Sequence, residues 1–93
     1  MIEFLSIGAK MISVRQMKAA RALLAWSQSD LAQNSGVSEP TIARLESADS
    51  QELGGRADTA EKLQRALERA GVEFIPENGG GAGVRMKKMR RKS

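Results

Sequence analysis

The sequence predicts an all-α fold, a bundle of four to five short helices closed by a short C-terminal β-strand or hairpin. Three observations predict it. Apolar residues recur at helical spacing in successive stretches between residues 14 and 70. Serine, aspartate and glycine stand where those stretches begin and end, as helix caps do. A β-prone run, Val72-Glu73-Phe74-Ile75, follows the last of them. At 93 residues the chain is one small domain, able to bury only roughly 60–65% of the surface its unfolded form exposes.

The opening stretch MIEFLSIGAKMIS holds a short apolar run, but it carries Glu3, lacks a basic start and is too short to span a bilayer. Residues 1–12 therefore read as a lead-in, disordered or a short strand, and the protein reads as cytoplasmic. Helix 1 is expected over Val14–Ala25, with Val14, Met17, Arg21, Leu24 and Ala25 on one stripe. Arg21 is the odd member of that stripe. Its expected buried partner is Glu46, one residue past the last apolar position of helix 3. Helix 2 begins at Ser27, whose Ser-x-x-Asp spacing to Asp30 resembles a capping box with the shorter acid. It ends at the turn Asn34-Ser35-Gly36. Ala32 falls where two helices cross too closely for a larger side chain, and Gly36 where the turn needs positive φ. Helix 3 is expected from Glu39 to Ser47. Ser38 is its N-cap, Pro40 lies in its first turn where a missing N–H costs nothing, and Val37, Ile42 and Leu45 fix it against helix 2.

Residues 48–57 have no apolar period and contain adjacent glycines, so they read as a loop with one helical turn around Gln51–Leu53. Helix 4 is expected to start at Asp58, with Glu61 completing a capping box, and to stop at Gly71. Its core stripe is Thr59, Leu63, Ala66, Leu67 and Ala70. Arg56, Lys62, Arg65 and Arg69 make its outer face basic, which is more often plain solvation than contact. Beyond Pro76, glycines 79, 80, 81 and 83 lead to Val84-Arg85-Met86-Lys87, where apolar and basic residues alternate. These two runs can form a hairpin, and since an isolated hairpin is marginal in water it must pack on the helices or on another chain. Val72–Ile75 is expected to supply part of a dimer interface. The organisation is thus a lead-in over 1–12, a helical binding domain over 13–71, and a β-prone segment, Gly-rich loop and basic tail over 72–93.

Composition narrows the function. Cysteine and histidine are absent, so there is no disulfide framework, no usual zinc ligand set and no histidine general base. No nucleophile–base pair is visible either. An enzyme is the remotest reading, and no catalytic residue, cofactor or metal site is expected. The glycine-rich loop lacks the strand–GxxxxGK[ST]–helix order of a phosphate loop. The net charge of +4 is unevenly placed: the last ten residues hold six basic groups and no acid, while residues 1–83 hold nine basic against eleven acidic residues, a net of −2. Affinity for DNA would have to come from a locally basic face and this tail. The other reading of the tail is a solvated end that aids solubility.

The run QSDLAQNSGVSEPTIARL, residues 28–45, has the spacing of two helices joined by a tight turn, the arrangement that reads the DNA major groove. Together with Arg21, Leu24, Trp26, Ser27 and Glu46 it resembles the Cro and lambda-repressor-type helix-turn-helix proteins, the xenobiotic-response-element family, over about residues 13–70. The resemblance implies a lambda-repressor-like bundle, a pair between Arg21 and Glu46 tying helix 1 to helix 3, and duplex DNA as the partner. The segment GVEFIPENGGGAGVR also looks like the tail of many short bacterial members. Two departures stand out. The chain carries no ligand-sensing or oligomerisation domain of the kind larger repressors have. The loop after helix 3 lacks the basic residue and glycine often found there, which weakens any carry-over of phosphate contacts to it.

The family pattern places Gln28 against a DNA phosphate at the start of helix 2; packing at the helix start is its competing role. Ser38, Glu39, Pro40, Thr41 and Arg44 are the expected exposed residues of helix 3. Arg44 can donate twice to guanine O6 and N7, or form a surface salt bridge with Glu39 or Glu68. Glu39 can accept from cytosine N4 while repelling phosphates, or simply favour the positive helix N-terminus. Thr41 can meet a thymine methyl or a phosphate, and Pro40 offers apolar contact alone. Arg15 and Lys18 are further backbone candidates, though any charged outer face looks like theirs. Trp26 is read as core, because three aromatic residues make no stacking platform for single strands. The expectation is a transcriptional regulator, a repressor, that binds operator half-sites about 34 Å apart as a homodimer. The alternative is the antitoxin of a toxin–antitoxin pair, whose tail folds on a toxin partner. A helix-turn-helix used only for protein contact is the third reading.

Overall fold

The computed structural model describes residues 12–48, 57–77 and 79–87. Four helices, α1 (Val14–Leu24), α2 (Gln28–Ser35), α3 (Glu39–Ala48) and α4 (Ala57–Arg69), precede two strands, β1 (Val72–Ile75) and β2 (Gly83–Met86). The lead-in over 1–11, the turn around Gln51–Leu53, Arg56 and the tail beyond Lys87 lie outside the described residues.

Local chemistry sets the helix ends. The Ser13 hydroxyl accepts from the Gln16 N–H at 3.0 Å while Gln16 Oε1 accepts from the Ser13 N–H at 2.9 Å, a reciprocal cap that satisfies two otherwise orphaned donors. Ser27 and Asp30 repeat it on α2 at 3.0 and 2.9 Å, as the shorter-acid pattern predicted. α1 stops one residue earlier than expected. Ala25 adopts a left-handed conformation with φ 57° and is exposed rather than in the core stripe; Ala20 takes the buried place. The α4 start also differs from expectation. The helix begins at Ala57, so Asp58 sits inside the first turn, where a carboxylate still favours the helix dipole. Glu61 pairs forward with Arg65 at 2.7 Å.

The core gathers Val14, Met17 and Ala20 of α1, Leu31 of α2, Val37, Ile42 and Leu45, Ala60, Leu63, Ala66 and Leu67 of α4, and Val72. Ile12, at the end of the lead-in, is buried with them. α2 packs against both α3 and α4. The strands pair antiparallel with Val72 opposite Met86, Glu73 opposite Arg85, Phe74 opposite Val84 and Ile75 opposite Gly83. Alternation then puts Val72, Phe74 and Val84 against the helical core and leaves Glu73 and Arg85 to pair outside at 3.0 Å. Gln16 Nε2 donates to the Gly83 carbonyl at 3.0 Å and reaches the Ile75 carbonyl at 3.4 Å, fastening the hairpin to the start of α1. Of the two supports open to such a hairpin, its own helices provide one, and Val72 is wholly buried against them.

Gly36 closes α2 with φ +82°, its N–H donating to the Ala32 carbonyl at 2.9 Å. A Cβ there meets nothing within 4 Å, so the demand for glycine is purely conformational. Gly36→Ala is expected to cost about 1 kcal/mol of stability, read as a shifted urea midpoint with an unchanged slope; a neutral result would mean the turn relaxes out of the left-handed region.

Candidate nucleic-acid interface

α3 is held by a polar cluster beneath it. Arg21 approaches Glu46 side-on, Nε to Oε2 at 2.8 Å and Nη2 to Oε1 at 2.7 Å, while its Nη1 donates to the Trp26 carbonyl at 2.8 Å. Gln28 Nε2 donates to Glu46 Oε1 at 2.9 Å. One carboxylate therefore binds α1, the α1–α2 junction and the first residue of α2 to α3. The Glu46 side chain is only 6% exposed and that of Arg21 19%, so water screens the pair poorly. Burial pushes the Glu46 carboxyl up, but the hydrogen bonds from Arg21 and Gln28 and the charges of Arg21 and Lys18 outweigh it and hold the group below the usual carboxylate range. The hydrogen bond that Arg21 donates to Glu46 raises Arg21 in turn, against the opposing effect of burial.

On the far side of α3 the exposed positions are Ser38, Glu39, Pro40, Arg44 and Ser47, with Thr41 half-buried among them. Ile42 and Leu45 point into the core, which fixes the rotation of the helix and so the direction of Arg44. The Ser38 hydroxyl donates to Thr41 Oγ1 at 2.9 Å and accepts a long bond from the Thr41 N–H at 3.4 Å. It caps the helix as predicted and ties the two hydroxyls into one polar corner. Arg44 forms no ion pair with Glu39 or Glu68 among the described residues, so its guanidinium faces solvent. Gln28 is half-buried and takes the helix-start role through Glu46, which among the described residues leaves its carbonyl oxygen and one amide hydrogen uncommitted. Arg15 and Lys18 are exposed on α1, and Trp26 is partly buried against the core.

Sequence reasoning missed three polar contacts. Gln16 was not singled out, although Ser13-Val14-Arg15-Gln16 spells a capping box. The pairing of Gln28 with Glu46 had no local signal. Arg69, read as outer-face charge, donates Nη2 to the Asn34 carbonyl at 3.1 Å and so covers a backbone oxygen at the C-terminal end of α2, where positive charge is favourable.

Two helices joined through a left-handed glycine, the second anchored by a buried ion pair to α1 and by a hydrogen bond to the first, and offering an exposed face with an arginine that has no ion pair among the described residues, make a helix-turn-helix nucleic-acid-binding module. Residues 17–74 match the helix-turn-helix family of the Cro/C1 type, and the chain belongs to that family of DNA-binding transcription regulators. No curated protein matches the chain in a sequence comparison. Among the described residues no helix is long and apolar enough to cross a membrane, and no group of acidic residues is arranged to hold a metal ion.

Proposed function

We propose that the protein is a sequence-specific transcriptional repressor of the cytoplasm that binds duplex DNA as a homodimer, with α3 in the major groove. The observation that carries this reading is the exposed Arg44, without an ion pair among the described residues, on a helix whose rotation is fixed by Ile42, Leu45 and the Arg21–Glu46–Gln28 cluster. Arg44 reads guanine, and Glu39 at the helix start accepts from cytosine while discouraging phosphate contact. Thr41 and Ser38 present hydroxyls to backbone or thymine, and Pro40 offers an apolar edge. Gln28 donates its remaining amide hydrogen to a phosphate, its side chain held in place by Glu46. The body measures 38 × 34 × 22 Å, a scale at which two copies side by side present their α3 helices to half-sites about 34 Å apart.

Selection of bound duplexes from a random pool at about 150 mM salt tests this reading, since weak non-specific binding is suppressed there. An enriched inverted repeat with G·C pairs in each half-site is the expected result. Folded protein that enriches nothing would overturn it and move the function to protein contact.

A further inference from the structure

On the reading that α3 binds duplex DNA, we infer that Arg69 is a positioning residue for recognition: by holding the Asn34 carbonyl it fixes the turn that starts α3, and with it the angle at which Arg44 meets the bases. The chemistry is that of a helix end. Asn34 is the penultimate residue of α2, and its carbonyl is one of the last four, which have no partner inside the helix. Arg69 Nη2 donates to it at 3.1 Å. Arg69 itself stands in the last turn of α4, so one cation sits at two helix C-termini, where positive charge is favourable. Among the described residues it makes no ion pair. The adjacent carboxylate, Glu68, accepts from Gln64 Nε2 at 3.1 Å instead.

What this contact controls follows from where α3 is held. Glu46, in the last turns of α3, is bound by Arg21 and Gln28, so the far end of the helix is locked to α1. From Glu46 back to Ser38 is about 12 Å of helix, and Glu39, Thr41 and Arg44 lie along it. A tilt of about 5° around Glu46 displaces the start of the helix by about 1 Å, enough to loosen a recognition site. The polar bonds at that start are local. Ser38 caps with Thr41, and Ser35 Oγ accepts from the Val37 N–H at 3.1 Å; they shape the turn without tying it to another helix. Val37 and Ile42 are buried in the core, a contact that sets depth but has no direction. Arg69 adds a directional tie to α4, and α4 is a firm base for it. Leu63, Ala66 and Leu67 are buried, α2 packs on α4, and the Gly71 carbonyl just past Arg69 accepts from the Lys87 N–H at 2.7 Å. The two ends of α3 are thus referred to different helices, Glu46 to α1 and the turn to α4, and together they set its tilt. The Arg69 bond is exposed, so it adds little to stability; its effect is on geometry.

The test compares the full chain with Arg69→Met, which keeps the apolar stem but neither donates nor carries charge, and with Arg69→Lys, which restores a donor and the charge. Each is titrated by fluorescence anisotropy with two labelled duplexes, the operator selected from a random pool and a mixed-sequence control, between about 50 and 200 mM salt. Thermal melts verify the fold. Arg69→Met is expected to bind the operator about fivefold more weakly, to bind the control as the parent does with an unchanged salt slope, and Arg69→Lys to regain most of the loss. An unchanged ratio of operator to control affinity in Arg69→Met would overturn the inference whatever the melting temperature does, because a merely structural residue moves stability and leaves the ratio. Equal losses on both duplexes, with the salt slope lower by about 1, would overturn it as well and make Arg69 a phosphate contact. Either result leaves the DNA-binding reading standing. An unaltered chain that enriches no duplex from the pool would remove both.

Discussion

Glu46→Ala is expected to lower the unfolding free energy by about 3 kcal/mol and the melting temperature by roughly 15 °C. The substitution leaves the Arg21 side chain four-fifths buried with only the Trp26 carbonyl as partner among the described residues, and it takes away the Gln28 acceptor. For a chain of this length, whose whole stability is about 5–14 kcal/mol, that loss is a large share. Urea unfolding followed by circular dichroism measures it. A loss below about 1 kcal/mol would show the pair to be no more than a surface bridge. The same carboxylate gives the protein an acid limit. Its folded-state titration lies below the unfolded one, so its contribution is fully present above the ordinary carboxylate range and drains away as pH falls through the lowered folded value. Glu46→Gln removes that pH dependence. Stability of the Gln variant is expected to fall less steeply than that of the parent in the acid range, and parallel curves would place the acid sensitivity elsewhere. Glu73 is held low in the same direction by the Arg85 hydrogen bond and charge and remains in both proteins, so the comparison isolates Glu46.

The elements themselves were legible because they rest on local chemistry. The Ser27–Asp30 cap, the left-handed Gly36 and the inward Ile42 and Leu45 each depend on residues within one or two turns, and each is where the spacing places it. The Arg21–Glu46 pair was legible for a different reason: a charge inside an apolar stripe demands a partner, and Glu46 stands directly after the inward Leu45. What escaped is polar and non-local. Gln16 meets carbonyls 59 and 67 residues away, and Arg69 meets one 35 residues away; periodicity carries no information about which distant backbone oxygen lies within reach. Small core residues escaped too. Ala20 and Ala60 are buried, yet alanine serves equally well on an exposed helix face, so its type does not mark its side. The misplaced end of α1 has the same origin, since Ala25 continues the stripe in period while the chain has already turned left-handed.

Arg44→Ala is expected to weaken binding to the selected operator by about 2 kcal/mol, roughly 30-fold, and to relax the base preference at one position of each half-site. The unfolding midpoint stays where it is, because the side chain is exposed and makes no ion pair among the described residues. Arg44→Lys separates the possible causes. A lysine keeps the positive charge but cannot present two parallel donors to guanine O6 and N7, so it preserves the salt dependence and still loses the base preference. Should Arg44→Ala instead weaken all duplexes alike and lower the salt slope by about 1, the side chain is a phosphate contact, and reading falls to Glu39 and Thr41. An unchanged affinity would take Arg44 out of the interface altogether. Neighbouring Glu39 sharpens the same comparison. Glu39→Gln removes a charge that repels every phosphate, so affinity rises for all duplexes, whereas the loss at Arg44 is confined to sequences that carry its guanine. Opposite signs from two exposed residues five positions apart on α3 distinguish a helix that reads bases from one that only rests on the backbone.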